Sequence, residues 1–390
     1  MTYPQTLDYL NAIPSFQQVG TTAYKGGLEN IINLCEVLGN PQEKFSTIHV
    51  AGTNGKGSSC HFLANFLSQK YAKVGLFTSP FLTDFREQIA INQVWISEAK
   101  LAEIVTKMLP HITKISPTFF EITVAIAFSY FAEAAVEIAV IETGLGGLLD
   151  STNIIKPLAS LITNISYEHQ AILGNTLEEI AFQKAGIIKA NTPVVVSEYQ
   201  PEVAHIFEEK AREMNAQLYF GDKKSSLKTI KNAPYQTRNL QGVLKLLKVF
   251  FPDFEFIDAP LNLKGRWQTV GQNPEILLDG AHNEAGLRVL MQGVESLNYQ
   301  NLYAIVAFGQ EKEVEKLLQI FPENTRFVFC QFQTLRSMSA KTLQMRASKI
   351  GFSGKVYPNL DTALANTRKE AQTNDLILIT GSLYLVGEFK

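Results

Sequence analysis

Gly52-Thr53-Asn54-Gly55-Lys56-Gly57-Ser58 lies between a β-branched run, STIHV at 46–50, and a segment of helical period, SSCHFLANFLSQ at 58–69. The helix is expected to begin near Ser59. Glycines at 52, 55 and 57 permit positive φ angles and let backbone N–H groups come close to an anion, while the helix that follows turns its positive end toward the same place. Lys56 supplies a point charge for β and γ phosphates and Ser58 a hydroxyl for Mg²⁺. The string departs from G-x-x-x-x-G-K-[ST], because Gly57 separates Lys56 from Ser58 and Val50 stands where that pattern has its first glycine.

Outward from this loop the same alternation continues. VEIAVIE (136–142), ASLITNI (159–165) and TPVVVSE (192–198) read as strands, and LEEIAFQKAGII (177–188) and PEVAHIFEEKAREM (201–214) as helices. It resumes after residue 262 with EILLDG, AGLRVLMQGVESL, LYAIVAF, VEKLLQIF, RFVFCQF, ALANTRKEA and DLILITG. Parallel strands covered by helices follow, an α/β fold. The aromatic stretch VFFPDFEF ends at the turn Asp258-Ala259-Pro260, which is expected to divide a larger first domain, 1–259, from a smaller second one, 260–390. Ligands of such sheets sit beyond the carboxyl ends of the strands.

VEIAVIE delivers Glu142 to such an end, ahead of the glycine-rich turn at Gly144, Gly146 and Gly147. ASLITNI leads into Ser166-Tyr167-Glu168-His169, so a carboxylate and an imidazole on neighbouring strand ends could ligate one Mg²⁺. Mg²⁺ prefers oxygen, and a hydrogen-bonded loop histidine is an equal reading of His169. Thr176 caps the next helix, with acids in its first turn. Residue chemistry alone makes Lys184, near that helix's end, a solvated lysine on an amphipathic face.

The chain has 390 residues, with 35 Lys and Arg against 37 Asp and Glu, so it has no global field to steer nucleic acid or an anionic membrane. MTYPQTLDYL has neither the basic residues nor the apolar core of a leader, and Glu133 and Glu137 break up the densest apolar stretch, Ile122 to Ile141. A cytoplasmic protein is expected. Cys35, Cys60 and Cys330 form no C-x-x-C pair and are expected to be reduced, mostly buried thiols.

HVAGTNGKGS, TSPFLTDFREQIAIN, TFFEITVAIAF, IETGLGGLLDSTNII, ITNISYEHQAILGNTLEEIAFQKAGIIK, LKGRWQ and LDGAHN occur in the order and spacing of folylpolyglutamate synthase and dihydrofolate synthase. The chain resembles that family of the Mur ligase superfamily over nearly its whole length. The resemblance implies a two-domain Mur-ligase-like fold, a P-loop parallel-sheet ATPase domain carrying the acceptor site followed by a smaller Rossmann-like α/β domain. It implies that Gly52, Thr53, Asn54, Gly55, Lys56, Gly57 and Ser58 hold ATP, that Ser58, Glu142 and His169 ligate Mg²⁺, and that Lys184 is carbamylated by CO₂ and helps to hold a second Mg²⁺. Asn239 would meet the adenine, Arg266 and Asp279 would close over ATP, and His282 would face the reaction and the incoming amino acid. The implied reaction activates a folate or dihydropteroate carboxylate as an acyl phosphate, which L-glutamate then attacks; the chain holds no G-x-S-x-G nucleophile elbow. The expected protein is a monomer with small-molecule substrates.

Five positions depart from the family pattern: Phe81 where it has His, Gln88 and Leu148 where it has Arg, Glu168 where it has Asp, and Gln183 where it has Glu. Phe81, Phe119, Phe120 and Tyr167 can still wall an aromatic ring, with Phe81, Phe120 and Glu168 the acceptor-side candidates. Because the changes fall beside phosphates and acceptor, two other readings stay open. One is a Mur-like ligase with a different carboxylate acceptor, the other a catalytically weak nucleotide-binding paralogue.

Overall fold

The computed structural model describes residues 1–15, 18, 20, 26–221, 234–253 and 263–389. The chain forms two compact units, Met1–Lys228 with Gln236–Leu261, and Thr229–Tyr235 with Asn262–Lys390. The turn Asp258-Ala259-Pro260 lies outside the described residues.

The first unit is built on an eight-stranded sheet of order β4-β3-β2-β5-β1-β6-β7-β8. Its strands are β1 (Ser46–Ala51), β2 (Val74–Phe77), β3 (Ile89–Ile91), β4 (Val94–Trp95), β5 (Ile138–Glu142), β6 (Ala159–Ile162), β7 (Val194–Val196) and β8 (Leu218–Phe220). From β2 to β8 the pairing is parallel, and β3 and β4 add an antiparallel edge. β1, β5 and β6 are buried at every residue but Ser46, as strands of a parallel sheet covered on both faces are. The helix Phe119–Glu133 is buried from Glu121 through Ser129 and is apolar all round, the composition of a core helix. Its Phe128 joins Met108 and Ile141 in one cluster, while Ile162, Ile180, Val194 and Phe207 belong to another.

β5 and β6 are not neighbours. Both pair with β1, which lies between them. The expectation of Glu142 and His169 on adjacent strand ends is therefore corrected: the chain crosses over β1 on its way from β5 to β6, so the loop leaving β1 is flanked by the turns after the other two. Such a crossover point is where an open α/β sheet opens its ligand crevice.

The second unit has a six-stranded sheet of order β13-β12-β11-β14-β10-β9, formed by β9 (Gln268–Gly271), β10 (Glu275–Leu278), β11 (Leu302–Val306), β12 (Arg326–Phe329), β13 (Gly354–Val356) and β14 (Leu376–Thr380). Only β9 is antiparallel. Leu277, Ala304 and Leu378 enter one core, and Leu278, Ile305 and Ile379 another, the period of two expected of a strand buried on both sides. The fold is two-domain α/β, as the sequence implies, and the three cysteines are free and buried. Among the described residues no helix is long and apolar enough to cross a membrane.

Candidate active site

The helix after β1 begins at Lys56, not near Ser59, because Gly55 takes the left-handed conformation, φ 84°, that turns the chain directly into it. Lys56, Gly57 and Ser58 thus form the first turn, whose amides have no intrahelical acceptor and point toward an incoming anion. The amides of Thr53 and Asn54 are already engaged: they donate to the backbone carbonyl of Asn164 at 2.9 Å and to its Oδ1 at 3.0 Å. Thr163 Oγ1 and Asn164 Nδ2 donate in return to the Asn54 carbonyl, so the end of β6 straps the loop in place. Two glycines here are dictated by space. A Cβ on Gly52 would stand 1.8 Å from Thr163 Oγ1, and one on Gly55 2.1 Å from Asn239 Oδ1.

Two lysines meet on one carbonyl. Lys56 Nζ donates to the carbonyls of Gly52, at 3.1 Å, and Thr53, at 3.2 Å. Lys184 Nζ reaches the same Gly52 carbonyl at 2.8 Å. The solvated-lysine reading of Lys184 is wrong, since the residue is only 2% exposed. Its helix, Leu177–Ala185, is amphipathic as expected and capped by a Thr176–Glu179 box, but Lys184 lies on the inward face with Ile180 and Ala181. Burial, and next the charge of Lys56, lower its pKa from 10.5 to about 7, against the opposing pull of Glu168 and Asp150.

Glu142 ends β5 only 3% exposed and accepts from the Ser79 amide at 3.1 Å. Its Oε2 lies 3.5 Å from where a Gly57 Cβ would stand, which sets the carboxylate beside the helix's first turn, where Ser58 also lies. Among the described residues no three His, Cys, Asp or Glu side chains converge. A carboxylate and a hydroxyl beside a phosphate cradle nevertheless fit Mg²⁺, which takes few protein oxygens and completes its octahedron with waters and phosphates. His169, φ 51°, is less buried and pairs with Glu168 at 3.7 Å.

The sequence reading missed Gln236, which shares a helix (Pro234–Phe250) with Asn239. Its Nε2 donates to Ser58 Oγ at 3.0 Å and its Oε1 accepts from Asn239 Nδ2 at 2.8 Å. Three-residue spacing on one helical face was the available signal. Also missed was a buried chain in which His49 Nε2 meets Thr152 Oγ1 at 2.8 Å and Thr152 Oγ1 donates to Asp150. Asp150 accepts from the Leu145 amide at 2.7 Å, fixing the turn that follows Glu142. Burial, with Lys189 a lesser cause, lowers the pKa of His49 to about 3 and keeps it neutral.

On the acceptor side, Phe81 and Phe120 are partly buried against the core, Phe81 6.1 Å from Phe85 and Phe120 6.1 Å from Phe77. Gln88 is 3% exposed and donates to the Phe85 carbonyl. Leu148 presses on the next helix, where a Cβ on Gly186 would lie 2.3 Å from its Cα.

The second unit carries its own group. Asp279 is 3% exposed and accepts from Tyr235 Oη at 2.5 Å and from the amides of Trp267 and Ala281, both at 2.9 Å. Burial raises its pKa, against these donors and the nearby Arg266 charge. Arg266 lies over Gly280, whose added Cβ would stand 2.8 Å from Nη1, and His282 Nδ1 meets the Gly280 carbonyl at 2.9 Å. Lys56, Ser58, Glu142, Lys184 and Asn239 thus gather around one loop of the first unit, and Arg266, Asp279 and His282 around one turn of the second.

Residues 50–270 match the Mur ligase middle domain and residues 265–383 the Mur ligase glutamate ligase domain. The dihydrofolate synthase/folylpolyglutamate synthase of Bacillus subtilis is 33% identical, covering 94% of each chain. A folylpolyglutamate synthase from Thermotoga maritima superposes with a TM-score of 0.81 at 31% identity, over 99% of this chain and 95% of that one. A bifunctional folylpolyglutamate synthase/dihydrofolate synthase solved with Mn, AMPPNP and L-glutamate gives 0.86 at 26%, over 99% and 97%. With its loop, sheets and both domain matches in agreement, the chain belongs to the Mur ligase family, in the folylpolyglutamate synthase and dihydrofolate synthase branch, and is an ATP-dependent acid–amino-acid ligase.

Proposed function

We propose that this enzyme joins L-glutamate to the carboxylate of a folate or of dihydropteroate. The observation that carries the reading is the first turn Lys56-Gly57-Ser58 beside the Glu142 carboxylate, with the buried Lys184 amine on the Gly52 carbonyl. Relatives named for both activities, and one solved with a nucleotide analogue, a divalent metal and L-glutamate, support it.

The acceptor carboxylate attacks the γ phosphorus of ATP and ADP leaves; the amine of glutamate then attacks the acyl carbon and phosphate leaves. No protein nucleophile is needed. The residues neutralise charge and hold geometry. Lys56 and the first-turn amides take the phosphates, Ser58 and Glu142 would hold Mg²⁺ with His169 a further ligand, and Asn239 meets the base. Mg²⁺ supplies charge neutralisation on the transferred phosphoryl group. Lys184, its pKa lowered to about 7, presents a neutral amine in a good fraction of molecules near neutral pH. Such an amine adds to CO₂ and releases one proton, giving a carbamate that would hold a second Mg²⁺. Arg266 and Asp279 close over ATP, His282 faces the incoming amine, and Phe81, Phe120 and Glu168 serve the acceptor. The first of these groups belongs to an ATP-binding domain, 1–259, the second to a ligase domain, 260–390, of a cytoplasmic monomer.

The test is phosphate release from ATP with Mg²⁺, L-glutamate and either dihydropteroate or tetrahydrofolate. Release with one or both is the expected result. Release with neither would overturn the folate reading, and nucleotide binding without turnover on any acceptor would mark a catalytically weak paralogue.

A further inference from the structure

We infer that Asn153 is a positioning residue for Lys184: its side-chain amide clasps the buried end of the helix Leu177–Ala185 to the turn that follows Glu142, and so keeps the Lys184 amine inside, on the phosphate loop. The inference rests on the reading of Lys184 as the carbamylated residue and deepens it. Lys184 is one residue from the end of its helix, where the last carbonyls have no intrahelical donor. This end is interior from Lys184 through Ile188, so the protein itself has to meet those carbonyls. The Gln183 carbonyl accepts from the Leu148 amide at 2.7 Å, those of Lys184 and Ala185 from the amides of Ile187 and Ile188 at 3.3 and 2.9 Å, and that of Ile187 from Ser160 Oγ at 2.9 Å. The Gly186 carbonyl is met by Asn153 Nδ2 at 3.1 Å, and the same nitrogen donates to the Leu148 carbonyl at 3.0 Å.

Both partners of that nitrogen are carbonyls, which only accept, so the amino side of the amide has to face them and both its protons are spent. Asn153 is 7% exposed, and its own backbone is fixed: its amide donates to the Asp150 carbonyl at 2.8 Å, and its carbonyl accepts from Lys189 Nζ at 3.0 Å. The contact it closes has no slack. A Cβ on Gly147 would stand 2.8 Å from the Gln183 carbonyl oxygen, and one on Gly186 2.3 Å from the Leu148 Cα. What opposes the closure is the lysine, whose amine gains hydration if the end of the helix lifts. Without the Asn153 donors, the carbonyls of Leu148 and Gly186 lose the partner they share in the interior, and opening the helix end to water satisfies both of them and the amine together. A side chain present only to fill this space would need no amide, and leucine would serve.

The experiment compares full-length wild type, Asn153→Leu, Asn153→Ala and Lys184→Met in ¹³C-labelled bicarbonate at pH 8, without nucleotide or Mg²⁺. A neutral lysine amine adds to CO₂, a nitrogen–carbon bond forms and one proton leaves, and the carbamate carbon is read by ¹³C NMR. The wild type is expected to show a carbamate signal that Lys184→Met lacks, and Asn153→Leu to lose it by roughly tenfold, the equilibrium worth of one buried hydrogen bond left unmade. Asn153→Ala answers the same question if the Leu variant does not melt cooperatively. Backbone amide exchange followed by mass spectrometry is the second readout: residues 183–188 should exchange faster in the Asn153 variants, while the start of the helix keeps its protection. A variant that melts at a lower temperature yet keeps the full carbamate signal would make Asn153 a support of the fold alone and overturn the inference. A wild-type spectrum no different from that of Lys184→Met would overturn the carbamate itself; the clasp is then judged by residues 183–188, where unchanged exchange in the variants refutes it.

Discussion

Lys184→Met should stabilise the ligand-free first unit near neutral pH while abolishing turnover, and the gain should fade as pH rises. The reason is the burial of Lys184 Nζ with one carbonyl partner and a second lysine close by. In the unfolded chain this amine titrates at its ordinary 10.5, in the folded one at about 7. Between those values the unfolded state holds a proton the native state has lost, so stability rises with pH across the window and levels off above it. At pH 7 folding forfeits most of that proton's binding energy, a cost on the order of 4 kcal/mol, and by pH 9 about 2 kcal/mol of it has been recovered. Methionine carries no such cost. The difference in unfolding free energy between Lys184→Met and the wild type should therefore narrow by about 2 kcal/mol from pH 7 to pH 9 in CO₂-free buffer. The assay is urea unfolding followed by the fluorescence of Trp95 in a Trp267→Phe background, since Trp95 belongs to the first unit and Trp267 to the second. Added bicarbonate should stabilise the wild type at pH 8 and leave Lys184→Met unmoved, because only the lysine can form a carbamate. A difference independent of pH would refute the argument from burial, and equal responses to bicarbonate would refute the carbamate.

Glu142→Gln keeps the shape of the side chain and removes its charge beside the phosphate loop, so kcat should fall by roughly 10²-fold or more, while circular dichroism stays that of the wild type. Gly186→Ala would push a methyl to within 2.3 Å of the Leu148 Cα, backbone that cannot swing aside; a loss of about 3 kcal/mol, or failure to accumulate folded protein, is expected in thermal melts. Tyr235→Phe takes one donor from the buried Asp279 carboxylate, and should cost the second unit about 2 kcal/mol in urea titrations read from Trp267.

Much of the fold could be read directly. STIHV, VEIAVIE and ASLITNI contain β1, β5 and β6 because short runs rich in β-branched residues suit a strand buried on both faces, and glycine-rich loop and capped helix carry their own local chemistry. Glu142 at a strand end follows from counting along one run. Period and composition say nothing about which strand lies beside which, so the intrusion of β1 between β5 and β6 appears only in the sheet. The loop read at the outset, 52–58, was legible as a glycine-rich turn between a strand and a helix, and its glycines together with Lys56 and Ser58 made it the candidate phosphate cradle. That Asn164 holds its first amides, and that Gln236 reaches Ser58 from a helix more than a hundred residues downstream, depend on contacts between segments distant in sequence. Lys184 marks the division most clearly. Sequence supplied an ordinary lysine on an amphipathic helix; the packing of that helix's inward face put its amine in the interior, on the carbonyl of Gly52 in the loop after β1, where removal from water decides its charge.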